Sequence, residues 1–189
     1  MLALLKIIAY KAIRRVVLVD ITCFMLLDVD GLQSVESNLE IRIFDRFEDI
    51  ARYLVNVPEQ VSTVWCELLS QPKTYVCLAI SEDAIAGQLW WRGDFVPPEC
   101  NHNGPVATQL PLTLPTDTAF VFDVSVQPSF RGMRLYAAML SHVKQTIQAD
   151  ASIEKFLITV DYSNRPAIRA AVRIGFVEVG HSMLIGLGA

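Results

Sequence analysis

The chain is 189 residues long, 52% apolar and 19% charged, with 16 Lys plus Arg against 20 Asp plus Glu and a formal net charge of −4. This length suits one α/β domain with a substantial core and is short for two, and the composition excludes an intrinsically disordered chain. No nucleic-acid partner is expected, because that would want a basic face or stripe.

Residues 1–15, MLALLKIIAYKAIRR, carry Lys6, Lys11, Arg14 and Arg15 and no acid. At helical spacing the cations occupy one half of the surface, while Leu2, Leu5, Ile8, Ala9, Ala12 and Ile13 fall mostly on the other. Such a helix suits docking on its own domain or on a second subunit in a homodimer, and also a weak contact with an anionic membrane surface. Residues 16–30 are apolar but broken by Asp20, Asp28 and Asp30, so no stretch is long enough to span a bilayer. This run has the composition of an extra strand. Positive charge follows the first apolar stretch and no small-residue cleavage site appears, so a secretory signal is not expected. The expected location is the cytoplasm, peripheral to the inner membrane face if the basic helix binds lipid. Residues 1–36 are therefore set apart as an N-terminal extension, and 37–189 as the domain.

Leu39, Ile41 and Ile43 alternate with Glu40 and Arg42, the period of a half-buried strand. Asp45 followed by Glu48 predicts a capped helix over 46–55. Pro58 fits the first turn of a second helix, with Val61, Val64, Trp65 and Leu68 at helical spacing. Residues 74–81 and 85–92 flank Glu82-Asp83 and read as a hairpin. Trp90 and Trp91 end it and face opposite ways, one to the core and the other to the acceptor side, as a pocket wall or as core or edge packing. Residues 94–116 hold several prolines and no periodicity, which predicts a long loop.

Residues 118–126 predict an apolar strand, followed by a helix with Leu135, Met139, Val143 and Ile147 on one face. Residues 155–161 predict another strand. A short helix then carries Ala167, Ala170, Ala171 and Ile174 on one face and ends at Gly175. Residues 176–179 and 181–187 predict two strands about Gly180.

The first strand–helix junction, Val124-Ser-Val-Gln-Pro-Ser-Phe-Arg131-Gly132-Met133-Arg134-Leu135-Tyr136, has chemistry of its own. Backbone N–H groups at a helix start favour an anion, and Arg131 and Arg134 add positive charge beside them. Gly132 lets backbone approach a ligand. A phosphate-bearing ligand is the physical inference, and a plain strand–helix connection of the same composition is the alternative. Downstream, a second strand ends in Val160-Asp-Tyr-Ser-Asn164-Arg-Pro-Ala167-Ile168, and its helix closes with Ile174-Gly175-Phe176.

Together these two segments resemble the motifs of the GNAT N-acetyltransferase superfamily. The first is a strand, then Val-x-Pro-x-x-Arg-Gly-x-Gly-x-Gly/Ala, then a helix. The second is a strand, then Asn-x-x-Ala/Ser, a short helix and Gly-Phe. The resemblance covers about 37–189 and implies the acyl-CoA N-acyltransferase fold, an α/β architecture. Its mixed central sheet has splayed central parallel strands, here 118–126 and 155–161, and helices on both faces. It further implies acetyl-CoA or another acyl-CoA as cosubstrate, with the pantetheine arm in the splay. Backbone at Val124, Ser125 and Val126 would pair with the arm, N–H groups of Arg131, Gly132, Met133, Arg134, Leu135 and Tyr136 would hold the pyrophosphate, and Asn164 would reach the pantetheine.

This sequence departs from the family pattern at two places. Arg134 and Tyr136 stand where the family usually has small residues, and a helical φ at these positions would tolerate them. Ala171 stands where many members carry a tyrosine that protonates the leaving thiolate, so Ser163, Tyr162, Tyr136 or water would take that role.

Asp123, on the apolar strand just before the splay, is the candidate general base, since apolar neighbours raise a carboxylate's pKa. The alternative is a structural carboxylate. His102, His142 and His181 are isolated in sequence, with His181 alone worth testing as a base. The cysteines at 23, 66, 77 and 100 are irregularly spaced, so no metal is expected and buried reduced thiols are. The expected activity is transfer of an acetyl or other acyl group to a primary amine on a small molecule or peptide, by direct attack. The alternatives are an acyl-CoA-binding sensory module that has lost turnover and a membrane-peripheral acyltransferase.

Overall fold

The computed structural model describes residue 6 and residues 17–54, 58–101, 110–150 and 153–187. The basic N-terminal helix and His102 lie outside this set, apart from Lys6.

A seven-stranded sheet organises the chain, in the order β2-β3-β4-β7-β8-β1-β9. Its strands are β1 (Val17–Asp28), β2 (Glu40–Phe44), β3 (Thr74–Ser81), β4 (Ala84–Arg92), β7 (Thr118–Val126), β8 (Lys155–Asp161) and β9 (Val177–Leu187). Two further strands, β5 (Phe95–Val96) and β6 (Leu112–Thr113), pair with each other. The helices are α1 (Phe47–Ile50), α2 (Glu59–Leu69), α3 (Pro98–Asn101), α4 (Leu135–Asp150) and α5 (Arg165–Ile174). The fold is thus the expected mixed α/β sheet, with β7 and β8 as its parallel pair.

Alternation along each strand sends side chains to two cores. On one face Met25, Leu89, Val121, Phe156 and Ile158 pack with Leu135, Met139 and Val143 of α4 and with Ile168 and Ala171 of α5. On the other, Val76, Leu78, Trp90, Phe120 and Phe122 pack with Ile50, Trp65 and Leu68. Trp90 meets Trp65 edge-on at 5.2 Å, and Trp91 stacks on Tyr75 at 5.0 Å. Both tryptophans are buried, one in each core, because neighbours on one strand face opposite ways and both faces are covered.

β1 is the extra strand that the composition of residues 16–30 suggested, but its place differs from the sequence reading. It was set apart with residues 1–36, yet it lies inside the sheet, antiparallel to β8 on one side and to β9 on the other. Cys23, Met25 and Leu27 are core residues. Phe24 and Leu26 are half-buried on the opposite face, so the strand is apolar on both sides and its period is hidden. The unit defined by the sheet therefore begins with β1, not at residue 37.

Smaller differences have local causes. The helix expected over 46–55 is a single α turn, Phe47–Ile50, continued as a 3-10 turn, and its N-cap is Arg46 without a side-chain cap. β9 is one strand, not two, because a register shift opposite Phe24 and Met25 absorbs the Gly180 region. The hairpin turn stands as read, with Glu82 and Asp83 both left-handed at φ 49° and 62°. Cys23, Cys77 and Cys100 are buried and Cys66 is exposed, all as free thiols.

Candidate active site

The β7–β8 ladder runs only from Thr118↔Lys155 to Phe120↔Leu157 and then stops. The other edge of β7 is irregular a few residues further on. Trp90 pairs with Phe122 but Gln88 with Ser125, so Asp123 and Val124 together face Leu89 alone. This is a β-bulge, which bends its strand and re-aims a side chain. Asp123 carries the strain, with φ at +42°. β7 is no longer paired with β8 from Val121 on, and a cavity of about 600 Å³ opens between the two strands beside the bulge.

Two sets of side chains meet in this cavity. From the α4–α5 side come Val124, Val126, Tyr136, Val160, Asn164, Ala167, Ala170 and Ala171. From the other side come Phe122, Thr159 and, through α3, Glu99, Cys100 and Asn101. Thr159 donates to Asn101 through its hydroxyl, reaching Oδ1 at 2.9 Å, which holds α3 over the open end of β8. The small alanines on α5 leave room along the β8 side.

Asp123 sits at the throat. Its Oδ2 accepts a 2.7 Å hydrogen bond from Gln88 Nε2. Its side chain is exposed at the cavity mouth, yet desolvation by the surrounding protein pushes the carboxyl above its ordinary value, and the Gln88 bond pulls it part of the way back. Tyr136 is half-buried, and burial pushes its phenol well up, so it keeps its proton at neutral pH. Burial also raises the Cys100 thiol, against the pull of neighbouring Arg92.

Of the residues anticipated from sequence, Asp123, Val124, Val126, Tyr136 and Asn164 line the cavity. Ser125 pairs with Gln88 on the β4 side. Arg131, Gly132, Met133 and Arg134 form an exposed turn before α4, and the Leu135 side chain is core. In that turn the amides of Arg131 and Met133 donate to the carbonyls of Pro128 and Phe130, at 3.3 and 3.4 Å. The first main-chain bond of the α4 ladder runs from Ala138 to Arg134, leaving the amides of Leu135 and Tyr136 ahead of it. Arg131 Nε donates to the Val126 carbonyl at 3.3 Å, tying the turn to the end of β7.

Two anticipated details change. Arg134 is not helical but left-handed, at φ 57°, so the family's preference for glycine at that position has a backbone reason here. Asn164 caps α5, its Oδ1 accepting from Ala167 N at 3.3 Å. Neither Trp90 nor Trp91 borders the cavity, and His181 lies on β9 away from it. Gln88, Glu99, Asn101 and Thr159 were missed. Asn101 reaches the site from the segment read as loop, and nothing in its spacing signalled that contact.

A sequence profile of the acetyltransferase (GNAT) family matches residues 41–176. No curated protein matches the chain. Among solved structures, a functionally unknown conserved protein from Staphylococcus epidermidis is similar with a TM-score of 0.59 at 11% identity, over 88% of this chain and 61% of that one. A putative GNAT-family acetyltransferase from Novosphingobium aromaticivorans gives 0.55 at 19% identity, over 92% and 67%. AAC(6')-Iy in complex with the bisubstrate analogue CoA-S-monomethyl-acetylneamine gives 0.51 at 16% identity, over 76% and 94%. The chain thus spans about six-tenths of the first of these and two-thirds of the second.

Proposed function

The chain belongs to the acetyltransferase (GNAT) family, and on that premise we propose that it moves an acetyl group from acetyl-CoA to a primary amine by direct attack, with Asp123 as general base. The observation that carries this reading is the opening of β7 from β8 at a bulge that holds a carboxylate of raised pKa in its throat. The thioester supplies an activated carbonyl and a good leaving group.

The residues present fit such a cosubstrate. Beyond Phe120 and Leu157 the facing backbones of β7 and β8 no longer pair with each other, so main-chain groups near Val124 and Val126 can meet the pantetheine amides. The exposed turn Arg131–Arg134 and the start of α4 offer cations and amides for the pyrophosphate. Small side chains at 167, 170 and 171 leave space for the arm.

The amine reaches the cavity from the side of Glu99 and Asn101. Asp123, directly or through a water, takes the proton that the ammonium must lose before its lone pair attacks. The new C–N bond forms as the C–S bond breaks. As the amide forms its nitrogen sheds a second proton, and the departing thiolate takes one up through water, since burial makes the Tyr136 phenol a weaker acid than the thiol. Cys100 borders the cavity as an un-ionised thiol, which disfavours a covalent acyl intermediate.

The left-handed Arg134 and the missing phenol at Ala171 favour a second reading, in which acyl-CoA is bound and sensed without turnover. Thiol release with a panel of primary amines separates the two. Amine-dependent release supports the enzyme, and acetyl-CoA binding without release supports the sensor.

A further inference from the structure

Cys23 is distant in sequence from Glu178 and His181 but meets them where β1 joins β9. Cys23 pairs directly with His181 in the antiparallel register. Two positions on, the register shifts, so that Phe24 faces Gly180 but Met25 faces Glu178. Val179 is the extra residue of this bulge. Without it Val179 would oppose Met25, and Glu178 would turn to the other face of the sheet. With it, one ligand atom from each of Cys23, Glu178 and His181 lies within 4.8 Å of the others.

We propose that the Cys23 thiolate, the His181 imidazole and the Glu178 carboxylate bind a zinc-type divalent ion that clamps β9 to β1. The donor set of one sulfur, one nitrogen and one oxygen suits a borderline ion and not magnesium or calcium, which take oxygen. Zinc ligands at roughly 2.0–2.3 Å from the metal stand roughly 3.3–3.8 Å apart. Glu178 and His181 need to close by only about an ångström, and both are exposed enough to turn, at 49% and 39% of side-chain surface. Their present contact is 3.5 Å between His181 Nε2 and Glu178 Oε1. The Tyr162 ring meets the imidazole edge-on at 6.0 Å and limits its rotation. Cys23 is fully buried and would supply the fixed point.

Binding replaces the thiol proton by the metal, so S–H is lost, the S–metal bond forms and one proton goes to solvent. The irregular cysteine spacing gave no hint of this site, because its ligands come from opposite ends of the chain and meet only through sheet order.

The test uses the full chain, stripped by a chelator and titrated with Co(II). We expect one equivalent to produce a thiolate-to-cobalt charge-transfer band, and Zn(II) to displace it and raise Tm. Cys23→Ser should lose the band. His181→Gln and Glu178→Gln, at exposed positions that leave folding intact, should each weaken binding by tenfold or more. Absence of the band, its survival in Cys23→Ser, or unchanged affinity in His181→Gln would overturn the site. If Cys23→Ser does not fold, the His181→Gln and Glu178→Gln titrations decide.

Discussion

Gln88 and Asp123 meet across a bulge: the amide of Gln88 donates a 2.7 Å hydrogen bond to the carboxylate of Asp123, whose own backbone is left-handed at φ +42°. The bulge thus aims the only carboxylate on β7 into the opening beside β8, and the Gln88 bond fixes its orientation. A pH dependence follows. Asp123 must be ionised to accept a proton, so the rate falls as pH drops below its folded pKa. The Gln88 bond lowers that pKa. Gln88→Leu should move the acid limb of kcat/KM to higher pH. An acid limb that stays in place would separate Gln88 from the titrating group.

Asp123→Asn should reduce turnover on the order of 10²-fold with little change in acetyl-CoA affinity. Stability should change the other way. A carboxyl with a raised folded pKa stabilises the fold while protonated, and this contribution is lost as pH rises through that pKa. At neutral pH the wild type has lost it, whereas asparagine stays neutral. The variant should therefore unfold at a higher temperature than the wild type at pH 7, and the gap should close in acid. Thermal melts across pH check the sign.

Arg134 sits at φ 57°, where a side chain costs about 1–2 kcal/mol. Glycine removes that strain but adds freedom to the unfolded chain, about 0.4–1 kcal/mol in the opposite sense. Arg134→Gly should stabilise the free protein by up to about 1.6 kcal/mol, read from the denaturant midpoint. Arg131→Glu should instead leave the free protein nearly unchanged and abolish the Tm rise that acetyl-CoA gives. An undiminished rise would move the pyrophosphate away from this turn.

A chain beginning at residue 37 should not fold. It lacks β1, which pairs with β8 and β9 and fills the core with Cys23, Met25 and Leu27. Circular dichroism and a denaturant melt would test this. A cooperative transition in that shortened chain would return β1 to the status of an appendage.

Much of the second half was legible because its rules are local. β7 and β8 have the bounds read from their apolar runs, and Gly175 ends α5 at φ 117° as expected. What escaped depends on distance. β1 joins the sheet between β8 and β9 only once both exist, and no sequence period records that neighbourhood. Asp123 could be singled out as a lone carboxylate on an apolar strand, but the bulge that aims it is a mismatch with Leu89 on another strand. Arg134 was read as helical from its place beside a helix, whereas the turn before α4 demands the left-handed region.

Ala171 is 1% exposed and belongs to the core with Phe176 and Ile168, yet it also lines the cavity. A larger residue in a closed core typically costs about 1–3 kcal/mol. Here the adjoining cavity can receive the ring. Ala171→Tyr should keep the fold and acetyl-CoA binding, and it should preserve or raise amine-dependent thiol release, since a placed acid typically contributes about 10²-fold or more. Unfolding of this variant would make 171 a core position alone.

The most direct measurement is steady-state release of CoA thiol from acetyl-CoA, with and without a panel of primary amines, for the wild type and Asp123→Asn side by side. Release that requires an amine, yields the N-acetyl product by mass spectrometry and falls on the order of 10²-fold in Asp123→Asn is the predicted result. Equal release in the two proteins across pH would contradict the assignment of Asp123. Acetyl-CoA binding with no amine acetylated by either protein would contradict the enzyme itself.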